Sequence, residues 1–161
     1  MRLELMTTAR EVGNLLRERG LTISVAESCT GGKLGDLLTN VSGSSDYFVG
    51  GVISYSNKVK VDLLGVRKAT LATDGAVSES VARQMSNGIR RRVDSDIGVG
   101  ITGVAGPSGG TPRKPVGLVY IAVSSRNKTR CTRNLFKGTR TAIKRQSVSR
   151  ALEMIGDILV G

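Results

Sequence analysis

Apolar residues follow two kinds of spacing along this chain, one typical of helices and one typical of strands. Near the N-terminus, four apolar residues recur at helical intervals: Leu5, Ala9, Val12 and Leu16. The charged segment after them ends at Gly20, a residue type that commonly stops a helix. Residues 21–26 then form a short run rich in branched side chains, which predicts the first strand.

The same two patterns continue to the C-terminus. Short branched runs predict further strands over residues 48–55, 97–102, 116–124 and 129–136. Helical spacing predicts further helices over residues 33–38, 57–64, 78–93 and 139–160. Gly65 is expected to end the helix that begins at residue 57, and Ser78 is expected to cap the next one.

Strands that alternate with helices indicate a three-layer α/β/α sandwich. The last two predicted strands are joined by a short polar turn, so they are expected to form a hairpin. The sheet is therefore predicted to be mixed and mostly parallel, with five to six strands. Because no repeat or linker interrupts the pattern, residues 1–161 are interpreted as one domain.

The chain contains no histidine. Within this chain, that excludes a Ser-His-Asp triad, a Cys-His pair and a histidine-ligated zinc site. Its cysteines, Cys29 and Cys131, are too few for a disulfide framework or a cysteine-only metal site, so a reduced, cytosolic setting is the simpler assumption. We expect neither a metal nor a cofactor. The sequence has no signal-peptide pattern and no run of membrane-spanning length, and we expect a cytoplasmic protein without membrane contact.

The formal net charge of +11 favours anionic partners. Clustered basic residues would indicate nucleic acid, but here they are spread from Arg10 to Arg150. Only 3% of the residues are aromatic, so few side chains could stack on bases. A small phosphorylated ligand is the first prediction and nucleic acid the second. We also expect a homo-oligomer.

Residues 26–32, AESCTGG, place a hydroxyl and a thiol beside a glycine turn between a predicted strand and a predicted helix. Such a turn directs backbone N–H groups and the positive end of a helix dipole toward a ligand. Ser28 and Cys29 are the candidate nucleophiles, and their spacing does not separate them. Ser28 could also be a helix N-cap, and Cys29 a small buried filler. Gly31 and Gly32 could bind phosphate, although they lack the spacing of a known phosphate-binding motif.

Residues 55–60, YSNKVK, follow the second predicted strand and contain the candidate general bases. A lysine held near other cations or out of water has a lowered pKa and can deprotonate a serine. Lys60 can reach back toward the strand ends if this segment turns helical. The hydroxyl of Tyr55 could relay the proton or donate to an oxyanion. The alternative for Lys60 is an ordinary solvated lysine.

Residues 102–110, TGVAGPSGG, leave a predicted strand with almost no side chains. Ligand sites of open α/β sheets lie in such crevices, where small residues let backbone amides approach a ligand. A plain flexible connection is the alternative. At the start of the last helix, Arg140, Lys144 and Arg145 could meet a phosphate or could form a charged surface.

In this order and at this spacing, these segments resemble the CinA C-terminal domain family of competence- and damage-inducible proteins. The resemblance is carried by residues 26–32, 51–60 and 102–107, by GAVSE at 75–79 and by KPVG at 114–117, and it covers essentially the whole chain. The family's fold is an α/β/α sandwich with a mixed sheet, in agreement with the predicted elements. The larger domain that precedes this one in full-length members is not in the sequence, so we expect a stand-alone version.

The resemblance implies a nicotinamide mononucleotide deamidase, which hydrolyses the carboxamide to nicotinic acid mononucleotide and ammonia. It implies that Ser28 attacks the amide carbon, that Lys60 is the general base and that Tyr55 assists, without histidine or metal. Backbone amides around residues 30–32 would be the oxyanion donors. The substrate-binding residues that it implies are Thr30, Gly31, Gly32, Asn57, Thr102, Gly103, Ala105, Gly106, Arg140 and Arg145.

Two residues depart from the family pattern. Members commonly have an acidic residue after the glycine at position 138 and an arginine at 144, whereas this chain has Thr139 and Lys144. A lysine keeps the charge but loses bidentate phosphate geometry. The alternative function is a non-catalytic competence or DNA-damage module that binds nucleic acid or a recombination protein.

Overall fold

The computed structural model describes the backbone of residues 2–161 and the side chains of residue 4 and residues 8–161. In chain order its helices and strands are α1 Arg2–Glu18, β1 Ile23–Glu27, α2 Lys33–Thr39, β2 Phe48–Ile53, α3 Asn57–Leu64, α4 Lys68–Asp74, α5 Glu79–Arg92, β3 Ile97–Gly103, β4 Leu118–Ser124, β5 Thr129–Leu135 and α6 Arg140–Val160. A short 3₁₀ turn, Ser44–Asp46, precedes β2. The predicted helices and strands are thus all present.

The five strands form one mixed sheet in the order β2-β1-β3-β4-β5. β1 is parallel to both β2 and β3, whereas β4 is antiparallel to β3 and to β5. Four strands therefore run in one direction and β4 alone runs against them. This confirms the predicted mixed, mostly parallel sheet and the hairpin of β4 and β5.

Helices cover both faces of the sheet, which confirms the three-layer sandwich. The core on one face lies between the sheet and α1, α2 and α6, and the core on the other face lies between the sheet and α3 and α5. The predicted apolar positions of α1, α5 and α6 are buried in these cores: Ala9, Val12, Leu16, Val81, Met85, Ile89, Val148, Leu152, Ile155 and Leu159. The side chain of Leu5, also predicted to face the core, lies outside the described residues. No helix among the described residues is long and apolar enough to cross a membrane.

The main difference from prediction is α4, which the apolar pattern did not indicate. None of its residues is fully buried, and its N-cap, Arg67, makes no side-chain capping hydrogen bond. A helix without a buried face has no need of apolar residues at helical spacing, so the sequence of α4 contains no amphipathic pattern. β2 also ends two residues before its predicted limit, where the carbonyls of Ser54 and Tyr55 accept hydrogen bonds from Lys60 Nζ of α3.

The carboxyl ends of β1, β2 and β3 meet at one edge of the sheet because these strands are parallel. The connections that leave this edge are residues 28–32, 54–56 and 104–117. They contain the segments that the sequence singled out, as expected for open α/β sheets, whose ligand sites lie beyond the carboxyl ends of the strands.

Candidate active site

Residues 28–32 form a tight turn between β1 and α2. Gly31 and Gly32 have φ values of 61° and 98°, a left-handed conformation that favours glycine. Gly32 is the N-cap of α2 and has no side chain with which to cap it. The carboxylate of Glu27 replaces the cap, because its Oε1 accepts hydrogen bonds from the amides of Leu34 at 2.5 Å and Gly35 at 3.3 Å. The interpretation of Ser28 as the helix cap is therefore wrong.

Ser28 and Lys60 are in direct contact. Lys60 Nζ lies 3.1 Å from Ser28 Oγ, although the residues are 32 positions apart. Lys60 lies in the first turns of α3, whose start is fixed by Ser56 Oγ accepting from the amide of Val59 at 3.2 Å. Ser28 is only 8% exposed and Lys60 only 1%. The alternative of an ordinary solvated lysine is thus wrong.

Burial shifts the Lys60 amine toward its neutral form. Burial lowers the pKa of the Lys60 amine below its ordinary value of 10.5, since the charged form loses its hydration, while the thiol of Cys29 opposes this shift. Besides Ser28, Nζ contacts the carbonyl oxygens of Ser54 at 2.6 Å and Tyr55 at 3.5 Å. A neutral amine has two N–H donors and one lone pair. The two carbonyls can take the donors, which leaves the lone pair for the hydroxyl proton of Ser28.

Cys29 lines the same pocket as Ser28 but has the properties of a core residue. It is 6% exposed and belongs to the core under α2. Burial raises the pKa of the Cys29 thiol to about 11, and the neighbouring carboxyl of Glu27 adds to the rise. The thiolate is the reactive form of cysteine, so this side chain is a poor nucleophile near neutral pH.

Tyr55 and Arg140 lie at the mouth of the site. Arg140 Nη2 donates to the Tyr55 hydroxyl at 2.8 Å, and Nη1 donates to the carbonyl of Gly106 at 2.6 Å. Tyr55 is 61% exposed, so its ring is open to a ligand. The arginine therefore joins the segment after β2 to the glycine loop after β3, and the proton of the Tyr55 hydroxyl remains available to a ligand.

A pocket of about 280 Å³ joins these groups. Nine of the predicted site residues line it, namely Ser28, Tyr55, Asn57, Lys60, Thr102, Gly103, Ala105, Gly106 and Arg140. Thr30, Gly31 and Gly32 belong to the turn beside it, and Arg145 is exposed on α6 outside the lining. Lys144 is closer, because a Cβ built on Gly31 would lie 3.6 Å from its Nζ. Positions 140 and 144 share one helical face, whereas position 145 does not.

The pocket wall includes residues that spacing alone did not indicate. Ala76 and Val77 line the pocket, and the carbonyl of Ala76 accepts a hydrogen bond from Thr102 Oγ1 at 2.8 Å. Thr102 is buried and uses its hydroxyl to hold this wall. Ala76 and Val77 belong to the motif at residues 75–79, which contributed to the family resemblance. Their side chains contain no reactive group, so the sequence offered no chemical reason to place them in a site.

Within the described part of the chain, no group of three or more His, Cys, Asp and Glu side chains is arranged to hold a metal ion. The pocket contains a hydroxyl beside a buried amine, glycine-rich backbone and one arginine at the rim. A lysine amine in contact with a serine hydroxyl can take the proton of that hydroxyl, as serine hydrolases with a lysine base require.

Comparison with known proteins gives a consistent picture. A family model of the CinA C-terminal domain matches residues 5–159. A CinA-like protein of Rippkaea orientalis is 61% identical over 118 residues, which are 73% of this chain and 28% of that protein. A CinA-like protein of Kosmotoga olearia is 49% identical over 144 residues, which are 89% of this chain and 35% of that protein. The chain thus spans about a third of the length of the curated relatives it matches.

Solved structures resemble the chain over nearly its whole length. The crystal structure of the competence/damage inducible protein CihA from Agrobacterium tumefaciens is 40% identical with a TM-score of 0.94, and covers 98% of this chain and 96% of that one. A CinA superfamily protein from Klebsiella pneumoniae is 35% identical with a TM-score of 0.94, and covers 97% of this chain and 98% of that one. On the family model and these structures together, the chain belongs to the CinA C-terminal domain family.

Proposed function

We propose that this chain is a serine amidohydrolase that converts nicotinamide mononucleotide to nicotinic acid mononucleotide and ammonia. The observation that supports the chemistry most strongly is the 3.1 Å contact between Ser28 Oγ and the buried Nζ of Lys60. A serine becomes a nucleophile when a base can take its proton, and lysine serves when its pKa is lowered. The substrate assignment rests on family resemblance and on the fit of the pocket.

In the first step, Ser28 Oγ attacks the carboxamide carbon while Lys60 Nζ accepts the hydroxyl proton. The amide of Gly31 already donates to the carbonyl of Ser28 at 3.1 Å, and the amide of Gly32 lies near the Glu27 carboxyl, where it helps to lower the pKa of that group. The amides of Cys29 and Thr30 are therefore the proposed donors to the oxyanion. Donors of this kind contribute about 3–4 kcal/mol to transition-state stabilisation.

In the second step, the protonated Lys60 returns its proton to the leaving nitrogen. The carbon–nitrogen bond breaks, ammonia departs and an ester links the nicotinoyl carbon to Ser28 Oγ. A water molecule then attacks the ester with Lys60 again as base, and Ser28 regains its proton. One water is consumed for each ammonia released.

The rest of the pocket fits a small phosphorylated pyridine nucleotide. Arg140 provides positive charge at the rim, and the backbone at Ala105 and Gly106 can approach a phosphate without obstruction by large side chains. The exposed ring of Tyr55 can lie against the cationic pyridinium ring. Its hydroxyl, which accepts from Arg140, can donate to the substrate and assist the reaction as proposed.

The test is ammonia release from nicotinamide mononucleotide by purified protein. We expect turnover in the wild type and its loss in Ser28→Ala and Lys60→Met. Ser108→Ala is a matched control, because Ser108 lines the same pocket without a contact to Lys60. No ammonia from the wild-type protein, or equal release by Ser28→Ala, would refute the proposed function.

A second candidate is the non-catalytic module that binds nucleic acid. It is supported by the net charge of +11 and by the run Arg90, Arg91 and Arg92 at the end of α5. Binding through phosphate contacts would weaken steeply with salt and would be unchanged in Ser28→Ala. A fluorescence-anisotropy titration of duplex DNA at two salt concentrations distinguishes the candidates. If no binding is measurable at low salt, this second function is excluded.

A further inference from the structure

Glu27 is a carboxylic acid buried in the core, directly before the proposed nucleophile. Its side chain has no exposed surface, and burial raises its pKa to about 7 against the opposing effect of the α2 amides. Its Oε2 has no hydrogen-bond partner among the described residues. Burial of such a group is unfavourable, and an apolar residue would avoid that cost. The mechanism above assigns it no role.

The contacts of Glu27 connect both sides of the nucleophile turn. On the sheet side, its carbonyl accepts from the amide of Ser54 at 2.8 Å, and the amide of Ser28 donates to Ile101 at 3.0 Å. On the helix side, Oε1 accepts from the amides of Leu34 and Gly35. One residue thus fixes the end of β1 to the start of α2, and Ser28 lies in the short segment between.

The glycine turn makes this connection necessary. Gly31 and Gly32 give the turn its left-handed conformation, but as glycines they add no side-chain contact that would hold it. The contact between Ser28 Oγ and Lys60 Nζ depends on where this turn places the serine. Misplacement of a reacting group by about 1 Å can reduce a rate about 100-fold.

We propose that Glu27 is a positioning residue, which holds Ser28 in line with Lys60 by accepting hydrogen bonds from the first amides of α2. This inference rests on the proposed role of Ser28 as nucleophile, but it does not depend on which substrate is hydrolysed. The oxygen acceptor is the property required, so a neutral amide of the same shape should replace the carboxylate. Alanine, or aspartate with a side chain one methylene shorter, should not.

The experiment measures how fast a fluorophosphonate probe labels Ser28 in wild type, Glu27→Gln, Glu27→Asp and Glu27→Ala. Amide hydrogen exchange across residues 28–39 and thermal melting are recorded for each protein. We expect Glu27→Asp and Glu27→Ala to lose at least about tenfold in labelling rate and to exchange faster at Leu34 and Gly35. Glu27→Gln should retain most of the wild-type rate. Asp36→Asn, which removes an exposed carboxylate from the same helix, is the matched control and should behave as wild type.

Wild-type labelling in folded Glu27→Ala or Glu27→Asp would overturn the inference. So would a rate in Glu27→Gln as low as that of Glu27→Ala, since the acceptor would then not be what matters. If Glu27→Ala fails to fold, the comparison of Glu27→Gln with Glu27→Asp decides. Dependence of labelling on Glu27 together with no hydrolysis of nicotinamide mononucleotide would retain this inference and reject the proposed substrate. No labelling of Ser28 in the wild type would reject both.

Discussion

The Lys60 side chain has almost no contact with solvent, and this burial lowers the pKa of its amine. In water its amine would be protonated at neutral pH and could not accept a proton. In the protein its pKa is lowered by desolvation, and two backbone carbonyls orient its remaining protons. These surroundings support the proposed role of Lys60 as the general base.

Replacement of this base should show directly in the pH dependence of the reaction. We expect kcat/KM of the wild type to rise with pH through the pKa of Lys60, which lies below 10.5. In Lys60→Met the rate should fall about 10²–10⁴-fold and this rising limb should vanish. The control is Lys58→Met, because Lys58 is exposed, is paired with Asp62 and does not line the pocket. A rising limb that persists in Lys60→Met would assign the titration to another group.

Cys29 provides a second prediction for single residues. Since its thiol is buried and its pKa is raised to about 11, Cys29→Ala should keep the wild-type rate within about threefold. Loss of a buried methyl-sized group should reduce the free energy of unfolding by about 1–2 kcal/mol. Ammonia release and urea denaturation measure the two effects. A hydrolysis rate as low as that of Ser28→Ala would make the thiol the nucleophile.

At the scale of elements, the site depends on where helices begin. The capping rule favours a serine after a strand as an N-cap, and from sequence Ser28 fits that rule. The turn at Gly31 and Gly32 delays the start of α2 to Lys33, and a carboxylate from β1 supplies the acceptor instead. Local propensity could not predict this, because the acceptor lies on the preceding strand. Ser56, Ser78 and Thr139, in contrast, are N-caps of the ordinary kind.

Thr139 explains one departure from the family pattern. Its Oγ1 accepts from the amide of Ala142 at 3.3 Å, a role that an acidic residue at this position would also fill. We expect Thr139→Ala to lose about 1 kcal/mol of unfolding free energy and Thr139→Asp to remain within about 0.5 kcal/mol of wild type. Urea denaturation at neutral pH measures both. Equal losses in the two variants would show that an acidic residue does not replace the threonine cap.

At the scale of the whole molecule, topology brings the site together. Periodicity predicted α5, α6 and the β4–β5 hairpin because each has a clear apolar face or a clear turn. It did not predict α4, which contributes no fully buried residue. The spacing of Ser28 and Lys60 could suggest a pair but not a contact. That contact requires β2 to lie parallel to β1, and α3 to turn back over the strand ends.

The buried acid also affects the stability of the whole fold. The pKa of Glu27 is raised from 4.5 to about 7, so its stabilising contribution is complete below pH 4.5 and is lost as pH rises through 7. The groups facing it are the α2 amides, Cys29 and Lys144. Its ionisation should remove about 3 kcal/mol between these limits. In Glu27→Gln this loss should be absent, so the variant should unfold at higher urea than wild type at pH 8. If the free energy of unfolding changes between pH 5 and pH 8 by the same amount in Glu27→Gln as in the wild type, this prediction is contradicted.

The central claim is that Ser28 forms a covalent ester during hydrolysis, and trapping that ester tests it most directly. A reaction with nicotinamide mononucleotide is stopped in acid during turnover, the protein is digested, and the peptides are examined by mass spectrometry. We predict that the nicotinoyl nucleotide is attached to Ser28 in the wild type and is missing in Ser28→Ala. Attachment to Cys29, or ammonia release that continues in Ser28→Ala, would contradict the claim.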